Sequence, residues 1–171
     1  MNKIYLVGYM GAGKTTTARR LAQRLGWDVV DTDDMFEEKY KISVCDFFNK
    51  YDEDLYRKLE SEVLKSTEGL ENVVISTGGG TACYFDNMDW MNQHGTTVFL
   101  RISQKAVADR LLHAKRKRPL SIGKSEEELT AFVEQHYTSR LPFYDQARIT
   151  VKSEDLDLDD LVRQLEELRL P

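Results

Sequence analysis

The chain has 171 residues, and its 24 basic and 29 acidic side chains give a formal net charge of −5. A chain of this length can bury a sizeable core, so we expect residues 1–171 to form a single domain. The negative charge and the scattered cations argue against a nucleic-acid partner. No apolar run reaches the roughly 18 residues of a membrane span, and residues 4–7 are too short for a signal-peptide core. Two cysteines, Cys45 and Cys83, are too few for a disulfide framework, which favours reduced thiols in a cytoplasmic protein.

The first motif is a glycine-rich loop between an apolar run and a helical pattern. Residues 4–7 (IYLV) indicate a buried strand, and residues 8–15 (GYMGAGKT) satisfy every fixed position of G-x-x-x-x-G-K-[ST]. Glycines permit backbone angles that let successive N–H groups converge on one anion, and the positive end of the following helix dipole adds to that site. Lys14 is placed to reach the β- and γ-phosphates, and the Thr15 hydroxyl can ligate Mg²⁺. The loop predicts a nucleoside-triphosphate site.

An acidic turn follows the second predicted strand. Residues 27–31 indicate a short strand after a helix that Gly26 closes, and the sequence DTDD follows at residues 31–34. Ligands of open α/β sheets bind outside the carboxyl ends of the strands, so this turn should face the phosphate loop. We expect Asp34 to cap a helix that begins near Met35. That leaves Asp31 and Asp33 for Mg²⁺-bound water or a substrate hydroxyl.

Three helical segments are predicted next. Residues 35–40 carry a short helical pattern, and Ser43 begins a capping-box pattern that opens a second helix. A longer helix over about residues 53–67 should turn four apolar residues inward: Leu55, Leu59, Val63 and Leu64. On that helix Arg57 and Glu60 are three residues apart and close enough to interact. A solvated surface residue is the ordinary interpretation of an arginine on a helix.

A buried strand over residues 72–77 leads into three consecutive glycines, Gly78, Gly79 and Gly80. Three glycines cost considerable folding entropy, and they are most useful where a ligand lies directly against the backbone. A plain flexible turn is the alternative, although one glycine would usually suffice for that.

The second half of the chain continues the alternation of helices and strands. We predict a helix over residues 86–94 closed by Gly95, a strand over 97–100, a helix capped by Ser103 that runs to about 112, a helix that Ser125 opens and that runs toward Tyr144, a strand over 148–151, and a closing amphipathic helix from Leu158. This order predicts an α/β fold with a five-stranded parallel sheet and helices on both faces.

The segment over about residues 113–124 (HAKRKRPLSIGK) is basic, lacks periodicity and contains proline and glycine. A solvated loop is one interpretation. We favour a mobile lid over the triphosphate, because a lid supplies cations and excludes water.

The phosphate loop alone does not separate a kinase from a GTPase switch or an ATPase motor. Residues 49–52 (NKYD) fit the guanine-reading pattern N-K-x-D, but they lie only about 35 residues beyond the loop and follow no late buried strand. The sequence also contains no D-x-x-G switch element. We therefore interpret NKYD as a coincidence.

Together these motifs resemble those of shikimate kinases, small P-loop proteins of the nucleoside-monophosphate-kinase-like group. The resemblance covers nearly the whole chain and consists of six motifs in order: GYMGAGKT at residues 8–15, DTD at 31–33, YRKLE at 56–60, GGG at 78–80, RPL at 118–120 and RLPFY at 140–144. Tyr56 stands where the family's F-R-x-x-E motif has phenylalanine. The acidic stretch at residues 153–157 departs from the family pattern. The resemblance implies an ATP- and Mg²⁺-dependent kinase that forms shikimate 3-phosphate in aromatic amino-acid biosynthesis.

The resemblance also implies roles for individual residues. Asp33 would hold the ring hydroxyls of shikimate and orient or deprotonate the attacking one, with Lys14 and Arg118 as the other catalytic residues. The substrate carboxylate would be gripped by Arg57, which Glu60 braces, and by Arg140. The remaining implied contacts are Gly78, Gly79 and Gly80 to the substrate; Gly11, Ala12, Gly13, Lys14, Thr15, Thr16, Arg118 and Arg110 to ATP; and Thr15 directly, with Asp31 through water, to Mg²⁺. The substrate-binding segment would span about residues 33–61, and the family expectation is a monomer.

The implied roles also make chemical sense without the family name. Phosphoryl transfer depends mainly on positioning and charge neutralisation, and two arginines at an acceptor site imply an anionic acceptor. The alternatives are another small-metabolite kinase such as a gluconate kinase, a nucleoside-monophosphate kinase, and a regulatory nucleotide-binding domain without catalysis. The segment over residues 34–52 offers little polar readout of a base, and a regulatory domain would not need the complete acceptor set of Asp33, Arg57 and Arg140.

Overall fold

The computed structural model describes residues 2–113 and 125–169 of the chain. Five strands are formed: β1 (Lys3–Val7), β2 (Asp28–Asp31), β3 (Val73–Ser76), β4 (Thr96–Arg101) and β5 (Ile149–Lys152). They make one parallel sheet in the order β2-β3-β1-β4-β5. The predicted α/β fold with a five-stranded parallel sheet is confirmed. The central strands β1 and β3 are buried along their whole length, which explains their continuous apolar runs.

Within the described residues, eight α-helices and one 3₁₀ turn connect and flank the strands. They are α1 (Lys14–Leu25), α2 (Thr32–Tyr40), α3 (Val44–Lys50), α4 (Glu53–Lys65), the 3₁₀ turn (Thr81–Cys83), α5 (Asn87–His94), α6 (Gln104–Leu112), α7 (Glu126–Tyr144) and α8 (Leu158–Arg169). The lid predicted over residues 113–124 lies outside the described residues from residue 114 onward, and so does Arg118.

The strand register brings three loops to one edge of the sheet. Leu6 of β1 pairs with Ser76 of β3, and Ser76 also pairs with Asp31 of β2. The phosphate loop, the glycines after β3 and the acidic turn after β2 therefore leave the sheet side by side. This placement agrees with the expectation that ligands bind outside the carboxyl ends of parallel strands.

The helix starts follow the predicted caps, with one correction. Ser43, Ser103 and Ser125 each accept a backbone N–H three residues ahead, as the capping patterns predict. The prediction that Asp34 caps α2 is wrong. Asp31 is the cap, because its extended backbone precedes the first helical residue and its Oδ1 accepts from the N–H groups of residues 33 and 34. Helix α2 therefore starts at Thr32 rather than near Met35.

The predicted inward face of α4 needs a second correction. Val63 and Leu64 are buried, but Leu55 is 39% exposed and belongs to the outer face. The helix turns polar side chains inward instead, with Arg57 and Glu60 both buried. An apolar periodicity count misses this face because charged residues are ordinarily assigned to solvent.

Helices α2, α3 and α4 enclose a small hydrophobic cluster of their own. Phe36, Phe47, Tyr56 and Val63 form it, separately from the main core over the sheet. The rings of Phe36 and Tyr56 meet edge-on with centroids 5.1 Å apart. Residues 49–52, which match N-K-x-D, end α3 and start α4, where Asp52 caps α4 through the N–H of Leu55 at 2.7 Å. The structural role of Asp52 agrees with our interpretation of that match as a coincidence.

Candidate active site

The phosphate loop has the backbone that its glycines predict. Gly8, Gly11 and Gly13 adopt φ values of 150°, 81° and 83°, which side-chain-bearing residues rarely reach. At Gly8 a Cβ would also lie 2.9 Å from the carbonyl oxygen of Leu100. The loop runs directly into α1, whose first residue is Lys14. An anion in the loop would thus meet the positive end of the helix dipole.

The Lys14 side chain is buried and held by the loop itself. Its Nζ donates to the carbonyl oxygens of Gly8 at 2.7 Å and Tyr9 at 3.0 Å. Because these contacts fix the ammonium group over the loop, the charge is in place before a phosphate arrives. Ala12 differs from its neighbours, since its side chain is buried, its N–H donates to the Tyr9 carbonyl at 3.2 Å, and it does not line the cavity.

Two oxygen ligands lie together beside the loop. The Thr15 hydroxyl donates to Asp31 Oδ2 at 3.0 Å, while the other oxygen of Asp31 caps α2. Hydroxyl and carboxylate oxygens suit Mg²⁺, which typically takes only one or two protein ligands and keeps water or phosphate in its other positions. Among the described residues no cluster of three or more His, Cys, Asp or Glu could hold a metal ion.

The phosphate cavity has a volume of about 330 Å³. It gathers most of the residues predicted to bind the nucleotide and the metal: Gly11, Gly13, Lys14, Thr15, Thr16, Asp31 and Arg110. Arg110 reaches it from α6 and donates from Nη1 to the Gly11 carbonyl at 2.6 Å. Ser153 donates to the carbonyl of Ala12, and Glu154 accepts from the N–H of Ser103 at 2.7 Å. The segment at residues 153–157 therefore contacts the phosphate loop through Ser153 and the start of α6 through Glu154.

A second cavity of about 290 Å³ lies next to the first, between the phosphate loop, α4, the glycines after β3, and α7. We call it the acceptor cavity. Its lining includes all the residues predicted to bind the substrate: Asp33, Arg57, Gly78, Gly79, Gly80 and Arg140. Arg57 and Glu60 form a buried ion pair, Nη1 to Oε1 at 3.0 Å, as their spacing predicts. This pair replaces the ordinary interpretation of Arg57 as a solvated residue.

Glu60 is fixed by three donors. Besides Arg57, the Tyr56 hydroxyl donates to its Oε2 at 3.2 Å and the Thr81 hydroxyl at 2.9 Å. Burial and the neighbouring Glu60 carboxylate raise the pKa of the Tyr56 hydroxyl, which therefore remains a donor. With every oxygen occupied, Glu60 holds the Arg57 guanidinium in one orientation.

The Arg57 guanidinium is further enclosed by aromatic rings and a second carboxylate. Its carbon lies 4.2 Å from the centre of the Tyr84 ring, and Glu53 accepts from Nε at 3.4 Å. Burial tends to lower the pKa of this group, but Glu60 and Tyr84 more than offset that effect and raise it. Arg57 is therefore a permanent and oriented cation.

Arg140 supplies the other cation of the acceptor cavity, from α7. It is 6% exposed, and over residues 2–113 and 125–169 no carboxylate lies within 4.0 Å of its guanidinium. It lies 5.9 Å from the centre of the Tyr9 ring and beside the hydroxyl of Tyr144, which donates to the Gly79 carbonyl. A buried cation without a carboxylate partner favours an anionic ligand.

The three glycines after β3 allow close approach of the site residues. A Cβ at Gly80 would lie 2.5 Å from Nη1 of Arg57, and one at Gly78 would lie 3.0 Å from Oδ1 of Asp33. A Cβ at Gly79 would lie 3.1 Å from the backbone nitrogen of Met10 in the phosphate loop. The triplet thus permits close packing of the site residues against the backbone, which a plain turn would not need.

The two cavities share one wall. Met10, Asp33, Gly78 and Gly79 line both of them. Asp33 is the one carboxylate in that shared set, so it lies at the boundary between the cavity that carries Lys14 and the cavity that carries the two arginines.

The sequence motifs do not identify several residues in and beside the acceptor cavity. Glu53, Tyr84 and His136 line the acceptor cavity but lie away from every recognised motif. Tyr9 does not line it, occupies a variable position of the phosphate loop, and contacts His136 through its hydroxyl. His136 precedes Arg140 by four residues on a helix, which places it on the same face. That spacing was the available signal for His136, whereas nothing in the sequence brings Tyr84 to Arg57.

Comparison with known proteins agrees with this geometry. The family model described as shikimate kinase matches residues 10–168. A shikimate kinase of Parabacteroides distasonis is 43% identical over 91% of this chain and 90% of its own length. The chain belongs to the shikimate kinase family. It therefore has shikimate kinase activity and uses ATP, as the motifs predict.

Solved structures of the shikimate kinase family share the whole fold. The crystal structure of a shikimate kinase from Bacteroides thetaiotaomicron matches with a TM-score of 0.89 and 40% identity, over 98% of this chain and 97% of that one. A shikimate kinase of Acinetobacter baumannii, solved in complex with shikimate, matches with a TM-score of 0.83 and 30% identity, over 98% and 92%. Within the described part of the chain, no helix is long and apolar enough to cross a membrane.

Proposed function

We propose that the chain transfers the γ-phosphoryl group of ATP to the 3-hydroxyl of shikimate, and that the residues predicted from the sequence carry out this reaction. The observation that supports this assignment most strongly is the shared wall of the two cavities, with Asp33 between the phosphate loop and the paired arginines. A phosphoryl donor and a carboxylate-bearing acceptor bound in these cavities would meet at Asp33.

Asp33 orients the attacking hydroxyl and accepts its proton. The hydroxyl oxygen forms a bond to the γ-phosphorus while the bond from that phosphorus to the β,γ-bridging oxygen breaks, and ADP leaves. A transition state of this kind needs little covalent assistance, so alignment of the hydroxyl accounts for much of the catalysis. Gly78, Gly79 and Gly80 contribute backbone contacts to the ring.

Arg57 and Arg140 bind the carboxylate of shikimate. A planar guanidinium matches a carboxylate in a bidentate manner, and both groups are buried in the acceptor cavity. We assign the substrate-binding segment to residues 33–61, since α2, α3 and α4 form their own apolar cluster and present Arg57 from it.

Lys14 and the loop amides of Gly11 to Thr16 neutralise the charge on the migrating group. Arg118 is proposed to close over the phosphates as part of the lid at residues 113–124, and Arg110 to lie against the adenine. Thr15 would hold Mg²⁺ directly and Asp31 through water, since their oxygens are 3.0 Å apart beside the loop. Mg²⁺ held there would neutralise charge on the phosphates of ATP.

We further propose a single cytoplasmic domain, residues 1–171, that acts as a monomer and needs no nucleic acid or membrane. Light scattering during gel filtration tests the monomer, which should elute at the 19.8 kDa of one chain. A dimeric mass would contradict this part of the proposal and leave the reaction unaffected.

The acceptor is tested by a coupled ADP-release assay with Mg·ATP and shikimate, gluconate or AMP as acceptor. We expect ADP release that depends on shikimate, and phosphorus NMR of the product should show a phosphate ester at the 3-position. Release only with gluconate or AMP would favour another kinase of the same fold. ATP binding without release to any of the three would favour a regulatory domain.

A further inference from the structure

The acceptor cavity contains an imidazole that the proposed reaction does not yet use. His136 lies on α7, one turn before Arg140, and its ring is half-buried among the cavity-lining residues. Its Nδ1 is 2.7 Å from the hydroxyl of Tyr9. The Phe132 ring packs at 4.9 Å from it and the Tyr9 ring at 5.4 Å, centre to centre. The position of the imidazole is therefore fixed on two sides.

The hydrogen bond with Tyr9 couples to the position of the proton on the His136 ring. The Tyr9 side chain is fully buried, and burial raises the pKa of its hydroxyl to about 12, so the phenol keeps its hydrogen at neutral pH. This hydroxyl is hydrogen-bonded to His136 Nδ1. When Tyr9 is the donor, Nδ1 accepts, and a neutral imidazole then holds its single proton on Nε2.

The backbone carbonyl and the ring of Tyr9 are also held in place. Its carbonyl oxygen accepts from Lys14 Nζ at 3.0 Å and from the N–H of Ala12 at 3.2 Å, and its ring stacks on Tyr137 with centroids 4.8 Å apart. A residue fixed by the phosphate loop and by α7 can hold the imidazole in one tautomer and one orientation. In this tautomer Nε2 carries the proton, and its N–H can donate to a ligand in the acceptor cavity.

We propose that His136 donates from Nε2 to the carboxylate of the acceptor, as an uncharged third donor beside Arg57 and Arg140, and that Tyr9 sets the tautomer that makes this possible. This inference rests on the proposed acceptor site. His136 would act as a specificity-determining residue, because a ligand that places an oxygen at that position gains a hydrogen bond from its N–H.

The imidazole stays uncharged in this environment. The charged and titratable groups that face it are Arg140 of its own helix, Arg57 and Glu53 of α4, and Tyr9 of the phosphate loop. Burial first, and then the two arginines, lower the pKa of His136 to about 4, against the smaller opposing effect of Glu53. A neutral donor adds a hydrogen bond to the carboxylate without placing a third cation beside the two arginines.

Two substitutions distinguish the role of Nδ1 from the role of Nε2 in His136. His136→Asn keeps an acceptor at the position of Nδ1 for Tyr9 but has no donor at the position of Nε2. His136→Gln reaches the position of Nε2 with an amide N–H. We expect His136→Asn to raise the KM for shikimate about tenfold or more, with kcat and the KM for ATP within about twofold of the parent, and His136→Gln to restore most of the loss.

Parent-like KM values for shikimate in both variants would overturn the inference, and so would equal losses in both or a loss confined to kcat. Thermal unfolding of each variant checks that the fold is retained. If the parent chain phosphorylates shikimate but His136→Asn is unaffected, this inference fails and the proposed function stands. If the parent does not use shikimate, both fail.

Nitrogen-15 NMR tests the tautomer independently of turnover. The chain has three histidines, so the His136 signals can be assigned from their loss in His136→Gln. We expect the Nε2-protonated pattern at pH 7, a change in the Nε2 shift when shikimate is added, and a mixed tautomer in Tyr9→Phe. An Nδ1-protonated ring, or signals that do not respond to saturating shikimate, would overturn the assignment.

Discussion

The two cavities of this kinase are built differently. The phosphate cavity takes about half of its lining from one contiguous stretch, residues 10–16, and the glycine φ angles and the buried lysine of the phosphate loop are set by local contacts. The acceptor cavity depends on side chains from separated segments, among them Asp33, the α4 pair Arg57 and Glu60, and Arg140 of α7, together with the glycines after β3. The phosphate loop is a local structure, whereas the acceptor cavity exists only after folding.

The charges of the two cavities are also secured differently. Lys14 is oriented by the backbone carbonyls of Gly8 and Tyr9. Arg57 is held by the buried Glu60, and Arg140 by aromatic and hydroxyl groups. We therefore expect the removal of a side chain to disturb neighbouring residues more in the acceptor cavity than in the phosphate loop.

The largest effect should come from Lys14→Ala. Lys14 supplies the charge that faces the migrating phosphoryl group, and loss of one such preorganised contact lowers kcat by roughly 10²–10³-fold. Because the loop glycines keep their angles, we expect little change in thermal unfolding. Lys39→Ala, which removes an exposed cation from α2, is the charge control. Turnover equal to the parent would remove Lys14 from the mechanism.

Arg57→Ala should act on the acceptor side alone. Loss of a charged hydrogen-bonded contact costs about 1.5–3 kcal/mol, so we expect the KM for shikimate to rise roughly 10- to 150-fold with the KM for ATP nearly unchanged. Initial-rate kinetics with each substrate varied measures both. Lys58→Ala, one position further along α4 and exposed, is the matched control.

The same variant leaves Glu60 buried with one donor fewer, so unfolding must be measured beside the kinetics. Arg57→Lys keeps the charge next to Glu60 and loses only the bidentate geometry, and it should raise the KM for shikimate by a smaller factor. Equal losses for shikimate and ATP in a folded variant would contradict the division of the site into two cavities.

The contrast between local and assembled structure explains what the sequence could predict. The sheet, the helix caps at Ser43, Ser103 and Ser125, and the loop angles were predictable because each depends on neighbouring residues. Assigning the α2 cap to Asp34 failed because the pattern does not fix where the strand turns into the helix, and Asp31 reaches the first free N–H groups. Such boundaries depend on where the sheet ends.

The acceptor cavity was predictable only in part. Arg57 and Arg140 were identified through the family resemblance and not from periodicity, which would have left both in solvent. The packing of Tyr84 on Arg57 and the contact of Tyr9 with His136 join residues 27 and 127 positions apart. Contacts at that separation follow from the fold and not from a local pattern.

A smaller effect should follow from Gly80→Ala. The added Cβ would lie 2.5 Å from Nη1 of Arg57 and 2.8 Å from its Cζ, so the guanidinium must shift away from its present position. We expect the KM for shikimate to rise about tenfold, since one misplaced contact is partly regained by movement of the side chain. Gly69→Ala, where nothing lies within 4 Å of the new Cβ, is the control. A parent-like KM in Gly80→Ala would mean that the observed orientation of Arg57 is not required.

The smallest effect is expected for Arg110→Ala, and it should fall on the opposite substrate. Arg110 is exposed and contacts the phosphate loop through the Gly11 carbonyl, so a stacking contact with adenine there is worth about 0.5–1 kcal/mol. The KM for ATP should rise roughly two- to fivefold, with the KM for shikimate unchanged. Arg163→Ala, which removes an exposed arginine from α8, provides the charge control.

Arg110→Ala and Arg57→Ala should therefore affect opposite substrates, the first the KM for ATP and the second the KM for shikimate. A rise in the KM for shikimate in Arg110→Ala would show instead that the two cavities are coupled through the phosphate loop, where Tyr9 already joins Lys14 to His136.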